Sequence, residues 1–247
     1  MSLPGGAADK IGNRYENMWT VLHMTYVMAE KAKSIRIEPP GEEGIAAEFW
    51  VQTREGREYH QAKLQAPGRG NWTVARLGAE GVLKGFRKHL EASDDATCVF
   101  VSTHPAHPLD ELADRARGAP NPGEFEKDFL TSQDTRNEFD MLCRAWEGNA
   151  TAQADRVRTF ELLRRIKVET ISEDTLRRTA DAHLDFLVDG DAATARDVLA
   201  QLAIGSVYAK LTSHDIWQHL EGRPDFARRQ WANNPHLLSL AEYGDKA

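Results

Sequence analysis

Gln61, Ala62 and Lys63 lie near the end of a run from Arg57 to Gln65 that reads as a strand. In extended backbone successive side chains alternate, so Gln61 and Lys63 share one face while Ala62 turns to the other. Upstream, Glu48 stands in Gly44 to Gln52, a second run with strand character. A carboxylate facing an amide oxygen and an ammonium is a set of groups that can hold a divalent cation beside a phosphate. Hydrolysis of a phosphodiester needs a nucleophilic water, neutralisation of the charge growing on the phosphate, and help for the departing oxygen. Bound Mg²⁺ supplies the first two. Hard cations take oxygen ligands, which suits Glu48, the Gln61 side-chain oxygen and the Ala62 backbone carbonyl. Lys63 would orient or deprotonate the water and balance negative charge. Gln61 adds no charge where a second carboxylate could stand, so a modest affinity is expected, with dependence on Mg²⁺ or on Mn²⁺ in its place.

Two more carboxylates are candidate metal ligands. Glu16 borders an apolar face made by Tyr15, Met18 and Trp19, although a surface helical Glu has the same pattern. Glu38 ends a first strand just before Pro39 and Pro40; it either reaches the site or accepts backbone N–H bonds in the turn. Glu48 and Glu38 are therefore alternatives for the main strand carboxylate.

The elements that must position these groups follow from periodicity. Apolar residues at 11, 15, 18, 19, 22 and 26 predict a helix over Ile11 to Lys33, with Lys31 and Lys33 near its end. Ser34 to Glu38 alternates as a strand and stops at Pro39, Pro40 and Gly41. The Glu48 and Gln61 strands form a hairpin turned at Arg54 to Arg57. A loop from Ala66 to Asn71 leads into a helix over Thr73 to Leu90, and Ala96 to Ser102 is a short buried strand. The order is helix, three strands, helix, strand.

After residue 104 helical patterns dominate. Helices are expected over Glu124 to Leu130, Thr135 to Trp146, Gln153 to Arg165, Glu173 to Val188, Ala192 to Tyr208 and His214 to Glu221, with an edge strand over Ile166 to Ile171. The chain thus divides into an α/β portion, residues 1–104, and a helical portion, residues 105–247, either a small domain or an extension packed on the sheet.

At 247 residues with 41% hydrophobic content, the chain can bury a substantial core. It has neither a long apolar run nor a secretory leader, so a cytoplasmic protein away from membranes is expected. Cys98 and Cys143 have no metal-ligand spacing and are expected reduced in the core. The formal charge of −7 argues against indiscriminate coating of nucleic acid. Yet Arg54 to Lys88 holds eight basic and three acidic residues, +5 locally, around the proposed site. Arg69, Trp72 and Arg76 in and after the loop are candidate nucleic-acid contacts, although the six tryptophans as a set suit packing better than base stacking.

These residues carry a family resemblance. A helix with Glu16, a strand with Glu48, a partner with Gln61 and Lys63, then helix and strand resemble the αβββαβ core of the PD-(D/E)XK nuclease superfamily. The stretches Gly6 to Glu16, Ile37 to Pro39 and Tyr59 to Lys63 are similar, more narrowly, to double-stranded DNA endonuclease effector domains of bacterial anti-phage systems. These include the nuclease of cyclic-oligonucleotide (CBASS) defence and Mrr-like domains fused to STAND NTPases. That group commonly carries Gln where the wider family has Asp or Glu before the Lys, while Glu48 stands where the superfamily usually has Asp. The resemblance covers about the first 104 residues. It implies Mg²⁺-dependent cleavage of double-stranded DNA, triggered by oligomerisation through a sensor or an NTPase in the same or a partner chain.

Other chemistries fit less well. There is no Gly-rich phosphate loop for an NTPase. His104 and His107 lack further ligands nearby for zinc. Ser213, His214 and Asp215 are sequence neighbours and read as a helix cap rather than a hydrolytic triad. The rival from another class is a nuclease-like fold without catalysis that scaffolds an oligomer or a partner ATPase. Apolar positions over Asp191 to Tyr208 exceed one stripe, which suits either intrachain packing or a homo-oligomer surface.

Overall fold

The computed structural model describes residues 5–65, 68–148 and 150–229. Trp231 and the side chains of Gly6 to Asn13 in the opening motif lie outside the described residues. The fold is mixed α/β: a six-stranded sheet in the order β5-β4-β3-β2-β1-β7, a two-stranded pair β6-β8, and a mostly helical remainder. The strands are β1 (Ser34–Ile37), β2 (Phe49–Gln52), β3 (Arg57–Lys63), β4 (Thr97–Ser102), β5 (Ile166–Thr170), β6 (Val188–Asp189), β7 (Lys210–Thr212) and β8 (Ala227–Arg228). By internal contacts the chain groups into two compact units. One comprises Gly41–Glu48 and Gly56–Ile171; the other holds 5–40, Phe49–Glu55 and 172–229.

In the first unit β4 lies between β3 and β5, parallel to both, with Gln61 beside Phe100 and Lys63 beside Ser102. Cys98 through Ser102 is buried throughout, the pattern of a parallel strand covered on both faces. The crossover from β3 to β4 holds α2 (Val74–Ala79) and α3 (Val82–Ala92). One continuous helix was expected there. Gly81, at φ 78°, takes the left-handed conformation that ends a helix, and the chain restarts as α3 with Val82, Leu83, Phe86 and Leu90 buried on one face. The crossover to β5 holds α4 (His107–Gly118), α5 (Pro122–Glu124), a π-helical turn (Phe125–Phe129), α6 (Gln133–Glu147) and α7 (Gln153–Leu163). The Trp146 indole N–H donates to the Leu83 carbonyl at 2.8 Å, tying α6 to α3. Arg165 closes the end of α3 by donating to the carbonyls of Leu90 and Ser93 at 2.8 and 2.7 Å.

In the second unit β1 pairs antiparallel with β2 and β7. It also holds α1 (Gly5–Met28), α8 (Glu173–Leu187), α9 (Ala192–Gly205) and α10 (Ser213–Glu221). Helix α1 packs on α8, α9 and α10. It ends at Met28 rather than Lys33, because Glu30 at φ 58° turns the chain out of helical geometry. The Met28 carbonyl then accepts the Trp217 indole N–H at 3.2 Å. Helix α9 ends at Gly205, short of Tyr208, and Ile204, Val207 and Tyr208 are exposed. Among the described residues no helix is long and apolar enough to cross a membrane.

Candidate functional site

On β3 the expected alternation holds. Gln61 and Ala62 are buried, and the Lys63 side chain is about one-third exposed at 32%. Glu48 departs from expectation in one respect: it precedes β2 in a bend instead of lying within a strand. A 3-10 turn over Gly41–Gly44 and a left-handed Ala46, φ 50°, replace the expected extended run. The Glu48 N–H still donates to the His60 carbonyl at 2.8 Å, so the residue remains registered to β3.

The segment leading to Glu48 is fixed by α3. Gly85 lets the Ala46 turn sit against the helix, since a Cβ there would lie 2.2 Å from the Ala46 Cβ. His89 Nε2 lies 2.8 Å from the Ile45 carbonyl oxygen, which can only accept, so that nitrogen carries the proton. Lys88 pairs with Glu42 at 2.8 Å and Arg57 with Glu43 at 3.0 Å. None of these supports was evident in the sequence, except that a glycine inside an apolar helical pattern signals close packing.

Burial holds the His89 imidazole below its ordinary pKa, against hydrogen bonding to Ile45 and the charge of Glu43, and with Lys88 and Arg57 acting in the same sense as burial. A folded-state pKa below the unfolded one means the unfolded chain binds the proton first. Stability from this group is thus whole above about pH 6.5 and is lost as pH falls from there through the folded value. The melting temperature is expected to drop between pH 7 and 5.5, and His89→Gln should flatten that slope. Calorimetric melts of both proteins across this range give the comparison.

At the site itself, Gln61 Nε2 donates to Glu48 Oε1 in a short contact and to the Ala62 carbonyl at 3.3 Å. Lys63 Nζ lies 3.7 Å from the same Glu48 oxygen. One carboxylate oxygen therefore receives both the amide and the ammonium. All three donors available to a cation here (carboxylate, amide oxygen, backbone carbonyl) are hard oxygens, which fits Mg²⁺ or Mn²⁺. The amide presents its nitrogen to Glu48, and because the two ends of an amide are nearly isosteric, the same side chain can offer its oxygen instead. Glu16, half-buried on α1, and Glu38, exposed just past β1 at φ 41°, belong to the other compact unit. Among the described residues no three His, Cys, Asp or Glu side chains gather as a metal-binding group.

Arg69 is exposed and Arg76 half-buried, whereas Trp72 is a core residue at 1% exposure. Its indole N–H donates to Ser102 Oγ at 2.9 Å and its ring meets Phe100 edge-on. It offers a substrate no open stacking face. The local excess of positive charge is largely matched by carboxylates: besides Arg57, Lys63 and Lys88, Arg76 pairs with Glu80 at 3.7 Å and Arg87 with Glu91 at 2.7 Å. Thr212 and Asp215 form a reciprocal cap on α10, which accounts for the Ser213 to Asp215 run. Cys98 and Cys143 are buried free thiols, and burial pushes Cys143 up to about 11, so neither is a ready nucleophile.

No family model matches the chain, and no curated protein does. Solved structures do. The Moraxella osloensis Cap4 SAVED/CARF-domain containing receptor is 15% identical with a TM-score of 0.50, over 85% of this chain and 46% of that one. The Acinetobacter baumannii Cap4 SAVED/CARF-domain containing receptor, solved with the cyclic trinucleotide 3'3'3'-cAAA, is 12% identical with a TM-score of 0.50, over 84% of this chain and 44% of that one. The likeness is one of fold. This chain spans less than half the length of either receptor.

Proposed function

We propose that this chain is a metal-dependent endonuclease that cuts double-stranded DNA as a cytoplasmic effector of anti-phage defence, switched on by oligomerisation or by an associated sensor. The chemistry belongs to the αβββαβ nuclease-like core within residues 1–104, and residues 105–247 support it. The observation that carries this reading is the convergence of Gln61 Nε2 and Lys63 Nζ on one oxygen of Glu48. The likeness in fold to part of the Cap4 receptors supports the setting, since one of those proteins was solved with a cyclic trinucleotide.

A bound Mg²⁺ supplies charge neutralisation at the phosphate and a water that ionises more readily. Glu48, the Gln61 amide oxygen and the Ala62 carbonyl would hold it. Lys63 orients the attacking water and offsets charge as the fifth oxygen approaches phosphorus, while Glu48 keeps the ammonium aimed. With one carboxylate and a neutral amide, affinity for the cation is modest and activity needs millimolar Mg²⁺ or Mn²⁺. The second reading is a non-catalytic scaffold, favoured by the exposed Ile204, Val207 and Tyr208.

Nicking of supercoiled plasmid by the full chain, in Mg²⁺ and in Mn²⁺ and with enforced oligomerisation, separates the two. Nicking that Lys63→Ala abolishes supports the nuclease. If neither metal gives Lys63-dependent nicking, the scaffold reading stands.

A further inference from the structure

Trp72, Ser102 and Arg76 form a chain of contacts next to Lys63. In the parallel register Lys63 is opposite Ser102 and Gln61 opposite Phe100, so these four side chains share one face of the sheet. Trp72 lies on that face, bonded to Ser102 and packed on Phe100. Ser102 Oγ also accepts the His104 backbone N–H at 3.2 Å, and the Trp72 backbone N–H donates to the Pro105 carbonyl at 2.8 Å, so the loop carrying Trp72 and the end of β4 are tied together. The Arg76 guanidinium lies over this ring, 4.8 Å from its centroid.

The guanidinium sits over the ring, while its polar contacts are long: 3.5 Å to the Arg69 carbonyl and 3.7 Å to Glu80. An arginine stacked on an aromatic ring keeps its edge N–H groups, which suit the paired oxygens of a phosphate. The contact with Glu80 is a long, partly exposed pair of little strength, so a phosphate can displace it. Reaching for the Arg69 carbonyl also draws Arg69, a second exposed cation, to the same place.

We infer that Arg76, mounted on Trp72 and anchored through Ser102, takes a backbone phosphate of the DNA duplex flanking the one at Lys63. Trp72 and Ser102 are then positioning residues: they touch no substrate, and they set where the duplex lies relative to Lys63. This rests on the nuclease reading.

The test is binding of a fluorescent DNA duplex to the full chain carrying Lys63→Ala, so that nothing is cut, measured by anisotropy at several salt concentrations. Arg76→Ala should weaken binding about tenfold for every sequence and lower the slope against log salt by about one. Arg76→Lys should restore the slope but only part of the affinity, because the stacked plane is lost. Ser102→Ala and Trp72→Phe should weaken binding severalfold with melting temperatures still in the cooperative range. Unchanged affinity and slope in Arg76→Ala overturn the inference. A loss in Arg76→Ala with none in Ser102→Ala or Trp72→Phe overturns the mount. If the parent chain binds no duplex, the nuclease reading itself fails.

Discussion

Lys63→Ala is expected to reduce metal-dependent nicking of duplex DNA by about a thousandfold, the range associated with losing a positioned proton-transfer or charge-stabilising group. Stability should change little. The side chain is 32% exposed and pairs with the Glu48 oxygen at 3.7 Å, a pairing worth about 1 kcal/mol or less at such exposure. The substitution removes the ammonium from beside Glu48 and leaves the Gln61 bond in place, so the carboxylate stays oriented. Lys63→Arg should not rescue, because a planar guanidinium does not replace a compact ammonium beside a water. Single-turnover nicking, with melting curves for each protein, separates lost chemistry from lost fold.

Gly85→Ala should cost about 3 kcal/mol and lower the melting temperature by about 10 °C. The usual expectation has the opposite sign, since alanine gains about 1 kcal/mol over glycine inside a helix. Sterics decide the matter here. The new Cβ would meet the Ala46 Cβ at 2.2 Å, the Ile45 carbonyl oxygen at 2.8 Å and the Ala46 Cα at 3.2 Å. Two of these are backbone atoms of a turn already held at a positive φ, and no side-chain rotation relieves them. The turn must move, which breaks the His89 bond to Ile45 and displaces Glu48 three residues on. Activity should therefore fall with stability. Gly78→Ala is the control: its Cβ would find only ordinary contacts at 3.8 Å or more, and it should be neutral or slightly stabilising. Denaturant titration of the two variants reads the difference.

Much of this arrangement was legible in the sequence, and the failures have physical causes. The period-two pattern of β3 placed Gln61 and Lys63 together because strand alternation is fixed by backbone geometry, and the apolar run of β4 announced a buried strand. The bend before Glu48 gave no such signal. It depends on Ala46 adopting a conformation alanine rarely takes, stabilised by contacts from α3, far along the chain. Helix α4 was hidden by Pro105 and Pro108, although proline is tolerated in the first turn, where Pro108 sits. Strand β7 has three residues, too few for periodicity, and exists through its pairing with β1. Helices outnumber strands after residue 104, but contacts group Gly56–Ile171 across that point, because β5 completes the parallel ladder begun by β3 and β4. Trp72 read as a loop residue; its burial comes from the hydrogen bond to Ser102, a partner sequence spacing does not reveal.

The proposed chemistry depends on one cation site built on Glu48, Gln61 and the Ala62 carbonyl, beside Lys63. Crystals of the full chain soaked in Mn²⁺ and measured for anomalous scattering test it most directly. A peak is expected about 2.0–2.3 Å from the Glu48 carboxylate and the Gln61 amide oxygen, lost in Glu48→Gln. Full Mn²⁺ occupancy elsewhere in the molecule, with none between Glu48 and Gln61, would contradict it.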